Sequence, residues 1–368
     1  MRSLNVSLMM ILGGLGCALK ALAYDPSCIN QPCHSDLINL AQADAIYHKL
    51  SSRPDPESVF YTLDVRHAQA LRVKFSSLSN FHHAQISLAV LERQGLLMLA
   101  NNSSFDLDNL MRFYVCYATA AKISSDNLPY NHPIKVKLSD FKGVYSGSLF
   151  QALVANNALA DTEPAKQGLL SHDWFAHSAI KNDFDIALSD LIYYSLNEGD
   201  ASATSILLDK FLLGEHNLEL FLKSKSVALA TLHQDKSLAF RYELSAYDNA
   251  RLLSELINDK SLSIELKDMM LQAMRFAPHA QGSLAEGIKK SIAGRTDLYS
   301  RFGELKIFDL NCFRNNQEAS SLAYIEFLGK PYIISIQVQG LVKLTQEQAQ
   351  ELLEQLGLVI FEHILKDH

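Results

Sequence analysis

The order of the elements that the sequence predicts indicates an α/β fold, with one sheet built from both ends of the chain and an all-helical subdomain inserted between them. Two strand-like runs, residues 84–91 and 96–99, flank the turn Gln94-Gly95 and predict a hairpin. Strand composition returns only near the C-terminus, in residues 305–313, 322–328 and 332–338. The long stretch between these two groups is mostly helical in its pattern.

The N-terminal residues are expected to be a cleavable signal peptide spanning 1–23. Arg2 precedes an apolar run over 8–19, and Ala21-Leu22-Ala23 gives the small-x-small pattern of a cleavage site. The run is too short to cross a hydrocarbon core of roughly 30 Å as a helix, so no integral span is expected after cleavage. The sequence therefore predicts an exported protein, periplasmic or secreted. Alternatives are a retained anchor, or lipidation at Cys17.

The remaining elements follow in chain order. A helical stretch over 35–50 ends at the break Arg53-Pro54-Asp55-Pro56, and a mixed region continues to about residue 80. Apolar residues at three- and four-residue spacing from Leu107 onward predict a central helix that starts near Asp108. Further helices are expected at 185–196, 203–211, 246–257 and 346–365.

Composition excludes several classes of function. The formal net charge is −7 and no basic cluster is present, so the sequence offers no surface for nucleic acid. It contains no Cys-x-x-Cys pair, no metal-type Cys/His spacing and no phosphate-binding G-x-x-x-x-G-K motif, so neither metal nor cofactor is predicted.

Four cysteines would remain after cleavage. Cys28 and Cys33 are separated by four residues and are candidates for a small disulfide loop in an oxidising compartment. Cys116 and Cys312 lie in apolar stretches, where buried thiols are the favoured interpretation over a second bridge.

Four segments, taken in order, resemble the class A serine beta-lactamases and other penicillin-recognising serine hydrolases. Residues 194–208 are similar to the family segment in which S-D-N precedes T-A-x-N-L-L-L, and residues 105–113 to the F-x-x-x-S-x-x-K segment that opens the nucleophile helix. Residues 146–149 resemble the G-S-G-x-L turn, and residues 244–253 the helix that begins S-T-P-x-D.

This resemblance implies a five-stranded antiparallel sheet flanked by terminal helices, with an inserted all-α subdomain. The corresponding division is 24–104 and 291–368 for the two parts of the α/β subdomain, and 105–290 for the helical part.

The chemistry that the family keeps in these segments is altered in this sequence. The nucleophile position is Asn109 and the lysine position is Arg112. The S-D-N position reads Gly199-Asp200-Ala201, and the K-T-G position is best matched by Arg301-Phe302-Gly303. No E-x-x-L-N follows to supply a water-activating glutamate. A carboxamide is not a usable nucleophile, and arginine does not release its proton at neutral pH.

Literal motif matches elsewhere keep an active enzyme open as an alternative. Ser178 and Lys181 satisfy S-x-x-K and are the best candidates for a displaced nucleophile and base. Ser139 with Lys142 satisfies the same pattern, and Ser125-Asp126-Asn127 satisfies S-D-N, but the order along the chain differs from that of the family.

Two interpretations of the altered site follow. In the first, Asp108 or Asn109 caps the central helix and Arg112 pairs with Asp200. In the second, Arg112 and Arg301 converge with the helix N-terminus to bind an anion such as the carboxylate of a peptide or cell-wall fragment. The expected function is that of a degenerate, non-hydrolytic binding or scaffolding protein whose ligand is such a fragment or a protein partner.

Overall fold

A computed structural model describes twelve ranges of the chain, which are 60–62, 68–92, 95–101, 104–106, 110–142, 147–155, 183–225, 230–234, 240–274, 283–293, 305–314 and 318–365. The expected signal peptide, the Cys28 and Cys33 pair and the helix over 35–50 lie outside these ranges.

The described residues form both strands and helices. The strands are β1 (Phe60–Thr62), β2 (Ala84–Glu92), β3 (Gly95–Ala100), β4 (Ser104–Asp106), β5 (Pro133–Lys137), β6 (Asp183–Ala187), β7 (Ala230–Gln234), β8 (Phe240–Ser245), β9 (Lys306–Arg314), β10 (Glu318–Phe327) and β11 (Lys330–Gly340). The α-helices are α1 (Ala68–His82), α2 (Met111–Ser125), α3 (Ser148–Ala155), α4 (Leu188–Leu196), α5 (Ala201–Ile206), α6 (Glu215–Ser224), α7 (Ala246–Asn258), α8 (Ile264–Ala273), α9 (Leu284–Ile292) and α10 (Gln346–Ile364). A 3₁₀ turn covers Leu138–Phe141, and a π-helical turn covers Leu207–Phe211.

The main sheet joins the two ends of the chain, as the sequence predicts. Its strand order is β1-β3-β2-β11-β10-β9 and every neighbouring pair is antiparallel. The junction is the pairing of β2 with β11, in which Val90 lies opposite Ile334. The five expected strands are confirmed, and the three-residue β1 adds a sixth at one edge.

Both faces of the sheet are buried, which explains why its strands carry apolar residues on both sides. In β2, Ala89 and Leu91 contribute to a core shared with the inserted helices, whereas Leu88 and Val90 contribute to a second core beneath α1, α9 and α10. The central helix α2 belongs to the first core and is buried along most of its length.

Two glycines allow α9 and α10 to pack closely on the outer face of the sheet. A Cβ at Gly287 would overlap the carbonyl oxygen of Glu354, and one at Gly357 would overlap the carbonyl oxygen of Leu284. These neighbours are backbone atoms and cannot rotate away, so no larger side chain fits at this crossing.

The inserted part differs from the expectation of an all-helical subdomain. β5 pairs with β6, and β4, β8 and β7 form a second small sheet. Helix α9, which begins after the N-cap Ser283, packs on α10. Helix α1 was not predicted either, because its serines and asparagine obscure the apolar spacing of Leu71, Phe75 and Leu78.

Within the described ranges, no helix is long and apolar enough to cross a membrane.

Candidate functional site

The site is built on the first turn of α2, which begins at Met111. Leu110 stands at the N-cap without a side-chain hydrogen bond to the first turn. The caps expected from the sequence, Asp108 and Asn109, lie outside the described residues. The first N–H groups of the helix therefore receive no side-chain acceptor from the cap residue.

The side chain of Arg112 extends from this first turn and binds β9, the edge strand of the main sheet. Its Nη2 donates to the carbonyl oxygen of Asn311 at 2.6 Å and to the sulfur of Cys312 at 3.1 Å. Its Nε is buried and has no hydrogen-bond partner among the described residues. The guanidinium thus ties α2 to β9 across 199 positions of sequence and keeps one donor unused by the described part of the chain.

Gly199 lies against the other side of the same guanidinium. Its φ is +66°, in the left-handed region that glycine adopts readily. A Cβ at this position would overlap Nη1 of Arg112. A serine here would therefore need both a strained backbone and a displaced guanidinium, so the arginine and the glycine fit each other.

Asp200 stabilises the backbone around the site. Its Oδ1 accepts hydrogen bonds from the backbone N–H groups of Ser202 at 2.8 Å and Ala203 at 3.0 Å, which makes Asp200 the N-cap of α5. Its Oδ2 accepts from the N–H of Leu149 at 2.9 Å and from the hydroxyl of Ser148 at 3.3 Å.

The pairing of Arg112 with Asp200 that the sequence suggested is not formed. Both carboxylate oxygens of Asp200 serve the two helix starts, and a Cβ at Gly147 would lie 2.5 Å from Oδ2, so the adjoining turn is packed against it. Arg112 instead uses β9. Ala201, the third residue of the altered triplet, is exposed at the first position of α5.

Two buried thiols lie near the guanidinium, and neither forms a disulfide. Cys116, one helical turn after Arg112, is fully buried and approaches the hydroxyl of Ser195 at 3.4 Å. Burial raises the pKa of Cys116 to about 12. Burial also raises the pKa of Cys312, although the adjacent guanidinium opposes this shift. Both groups are therefore neutral thiols, which are poor nucleophiles.

The sequence interpretation missed the part that β9 takes in the site. The K-T-G match at residues 301–303 precedes β9 and lies outside the described residues, whereas the strand positions that contact Arg112 are Asn311 and Cys312. The alternation of side chains along β9 indicates which side of the strand faces the site, because Leu310 and Cys312 belong to the core shared with the inserted helices. Their common side of the strand is the side that faces α2.

Two of the literal serine motifs lie among the described residues. Ser125-Asp126-Asn127 stands at the opposite end of α2, about 20 Å along a helix axis that rises 1.5 Å per residue. Ser139 belongs to the 3₁₀ turn, and Lys142 is largely exposed and pairs with Asp209 at 2.8 Å. Ser178 and Lys181 lie outside the described residues.

The described site carries a positive charge, but few groups in it could take part in a reaction. The atoms that contact the guanidinium belong to a backbone carbonyl, a neutral thiol and a glycine. No group of three or more His, Cys, Asp or Glu side chains in the described ranges could hold a metal ion. A cation at the start of a helix is repelled by the positive end of the helix dipole. An anion bound there would be stabilised by the guanidinium of Arg112 and by the helix dipole together.

A family profile described as "Beta-lactamase enzyme family" matches residues 70–364 of the chain. No curated protein sequence matches.

The fold is similar to those of solved class A and other beta-lactamases. A class A beta-lactamase representative from Bacteroides cellulosilyticus superposes with a TM-score of 0.60 at 16% identity, covering 86% of this chain and 100% of the other. A beta-lactamase from Burkholderia vietnamiensis gives 0.61 at 11% identity, covering 81% and 98%. One from Xanthomonas campestris gives 0.58 at 12% identity, covering 80% and 97%.

Proposed function

This chain belongs to the beta-lactamase enzyme family, and we propose that it is a member without acyl-serine chemistry that acts as an exported binding or scaffolding protein. Its place of action in this proposal is the cell envelope or the extracellular space. The observation that carries the proposal is the position of Arg112, bound to β9 and packed against Gly199.

The proton-transfer groups of a serine hydrolase are replaced at these positions. Where the family resemblance places a lysine, the sequence has Arg112, and a guanidinium does not act as a base at neutral pH. Where it places the nucleophile, the sequence has Asn109, whose carboxamide does not attack a carbonyl.

The proton-shuttle position supports the same conclusion. Gly199 has no hydroxyl, and the contact with Arg112 leaves no room for one. Of the altered triplet only Asp200 keeps its identity, and its bonds go to backbone N–H groups and one hydroxyl that hold the local fold. The chain has thus retained the residue that shapes the loop and replaced those on either side.

Ligand binding at this place is supported by charge. Arg112 is only partly buried, and it adds a fixed cation to a helix start whose cap residue offers no acceptor. A carboxylate would relieve the repulsion between this cation and the helix dipole. The ligand class in this proposal is the carboxylate of a peptide or cell-wall fragment.

The competing function is a working hydrolase that uses a displaced nucleophile. Nitrocefin turnover by the purified protein separates the two. We expect no turnover above buffer. Turnover that is abolished by Ser178→Ala or Lys181→Ala, or by Ser139→Ala, would overturn the proposal and identify the nucleophile.

Carboxylate binding is tested by titrating the protein with an acylated dipeptide and, separately, with its C-terminal amide. We expect saturable binding of the acid only, and at least a tenfold weaker affinity for Arg112→Met, the loss of about 1.4 kcal/mol. Lys122→Met removes an exposed cation from the same helix and is the matched control. Equal affinity for acid and amide, or equal loss in both variants, would contradict this assignment.

A further inference from the structure

A continuous row of hydrogen bonds links α2, α4 and α5. The thiol of Cys116 lies 3.4 Å from the hydroxyl oxygen of Ser195, which lies 2.8 Å from the hydroxyl oxygen of Thr204. Thr204 donates in turn to the backbone carbonyl oxygen of Asp200 at 3.1 Å. Cys116 and Ser195 are fully buried, and Thr204 is partly buried. We name this row, from the thiol to the carbonyl, the Cys116 chain.

The last member of the Cys116 chain fixes the direction of every bond in it. A carbonyl oxygen can only accept, so the single hydroxyl proton of Thr204 is directed to Asp200. The hydroxyl of Ser195 must then donate to Thr204, and the thiol of Cys116 must donate to Ser195. Burial raises the pKa of this thiol to about 12, so the proton that the first bond needs stays in place at neutral pH.

Both ends of the Cys116 chain adjoin the candidate site. Cys116 lies one helical turn after Arg112 on α2. Asp200, at the other end, directly follows Gly199, which packs against the guanidinium. The carboxylate of Asp200 binds the starts of α3 and α5, so its backbone carbonyl is the part that is linked to α2. Three directional bonds therefore act with packing to set the distance between this turn and α2.

We propose that Thr204 is a positioning residue of the carboxylate site. Through Ser195 and Cys116 it holds the turn that contains Gly199 at a fixed distance from α2, and this contact sets the direction of the Arg112 guanidinium. The inference rests on the proposed carboxylate binding. It adds two requirements, which are a hydroxyl at position 204 and a protonated thiol at position 116.

The position of the guanidinium is measured first without ligand, by NMR of the whole processed protein. The Nε–H signal of Arg112 is identified by its loss in Arg112→Met. We expect the signal to move in Thr204→Val, which keeps the shape of the side chain but leaves the proton of Ser195 without its acceptor. Thr204→Ser retains the hydroxyl and should leave the signal in place.

The matched control is Thr119→Val, which makes the same chemical change on α2. The hydroxyl of Thr119 is buried and has no hydrogen-bond partner among the described residues. This variant should leave the Arg112 signal unmoved. An unmoved signal in Thr204→Val, an equal movement in Thr119→Val, or a failure of Thr204→Ser to retain the signal would overturn the proposal.

The direction of the Cys116 chain has a separate test in the infrared S–H stretching band that Cys116→Ser removes. A thiol that donates a hydrogen bond absorbs at lower frequency, so Ser195→Ala should raise the frequency of this band. An unchanged frequency would overturn the chain, because the thiol would then not be donating to Ser195.

The consequence for binding is measured by titration with the acylated dipeptide. Thr204→Val should bind it about fivefold more weakly, a loss of about 1 kcal/mol, which is the contribution of one hydrogen bond. Thr204→Ser and Thr119→Val should bind as the unmodified protein does. Unaltered affinity in Thr204→Val would overturn the positioning role. If the unmodified protein itself binds no dipeptide, the proposed carboxylate function fails, and the NMR signal still decides whether Thr204 positions Arg112.

Discussion

Replacing Gly199 by alanine tests the fit between Arg112 and the loop that faces it. Gly199 has φ +66° and contacts the guanidinium, whereas Gly329 has φ +70° and nothing within 4 Å of the place of its Cβ. Alanine at either position incurs the cost of a left-handed backbone, about 1–2 kcal/mol. Only at Gly199 does the new methyl group also overlap another side chain.

The magnitude of the additional loss follows from the bonds of Arg112. Its Nη1 is the end of a flexible side chain, so the overlap is relieved by moving the guanidinium. That movement breaks the bonds of Nη2 to the carbonyl of Asn311 and to the thiol of Cys312. A hydrogen bond to a charged group contributes about 1.5–3 kcal/mol, so Gly199→Ala should cost about 2 kcal/mol more than Gly329→Ala.

The assay is urea unfolding of both alanine variants, of Arg112→Ala, and of the Gly199→Ala/Arg112→Ala double variant. In the Arg112→Ala background the additional loss should disappear, which a double-mutant cycle reports as a coupling free energy. The reasoning is refuted if Gly199→Ala is no more destabilising than Gly329→Ala, or if its additional loss persists when Arg112 is absent.

Three further predictions concern residues that support the site and the sheet. Gly357→Ala should lower the free energy of unfolding by about 2 kcal/mol, because the new methyl group meets the carbonyl oxygen of Leu284. Replacing glycine by alanine inside a helix usually stabilises it by about 1 kcal/mol, and calorimetry that shows such a gain would contradict the prediction. Asp200→Ala should cost about 2–4 kcal/mol in urea unfolding, since it leaves buried N–H groups unpaired, and a loss below about 0.5 kcal/mol would show that the carboxylate is dispensable. The raised pKa values of Cys116 and Cys312 predict that iodoacetamide at mildly alkaline pH modifies neither thiol until the protein unfolds. Peptide mapping that finds either thiol alkylated in the native protein would be inconsistent with their burial.

The sheet was the most predictable part of the fold. The hairpin of β2 and β3 is local in sequence, and the strand composition of β9, β10 and β11 stands out from the helical pattern that precedes them. The short strands of the inserted part were missed. β5 and β6 have five residues each and are separated by 45 intervening positions, so neither has a local partner that would reveal it.

The candidate site was located by sequence only in part. The ordered family segments placed Arg112 and Asp200 in one region, and both occur there. Their partners could not be predicted, because Asp200 binds Leu149 and Arg112 binds Asn311, at separations of 51 and 199 residues. The role of Gly199 depends on a φ value and on a neighbouring guanidinium, and a sequence displays neither.

Covalent labelling with a fluorescent penicillin tests most directly whether the chain has lost acyl-serine chemistry. The purified protein is incubated with the label, denatured and examined by gel fluorescence and by intact mass. The positive control is a class A beta-lactamase variant that forms the acyl-enzyme but cannot hydrolyse it. If Arg112 and Gly199 occupy the positions of the base and the proton shuttle, as proposed, the mass stays unchanged and no fluorescence is seen. A single penicilloyl adduct, abolished by substitution of one serine, would contradict the account.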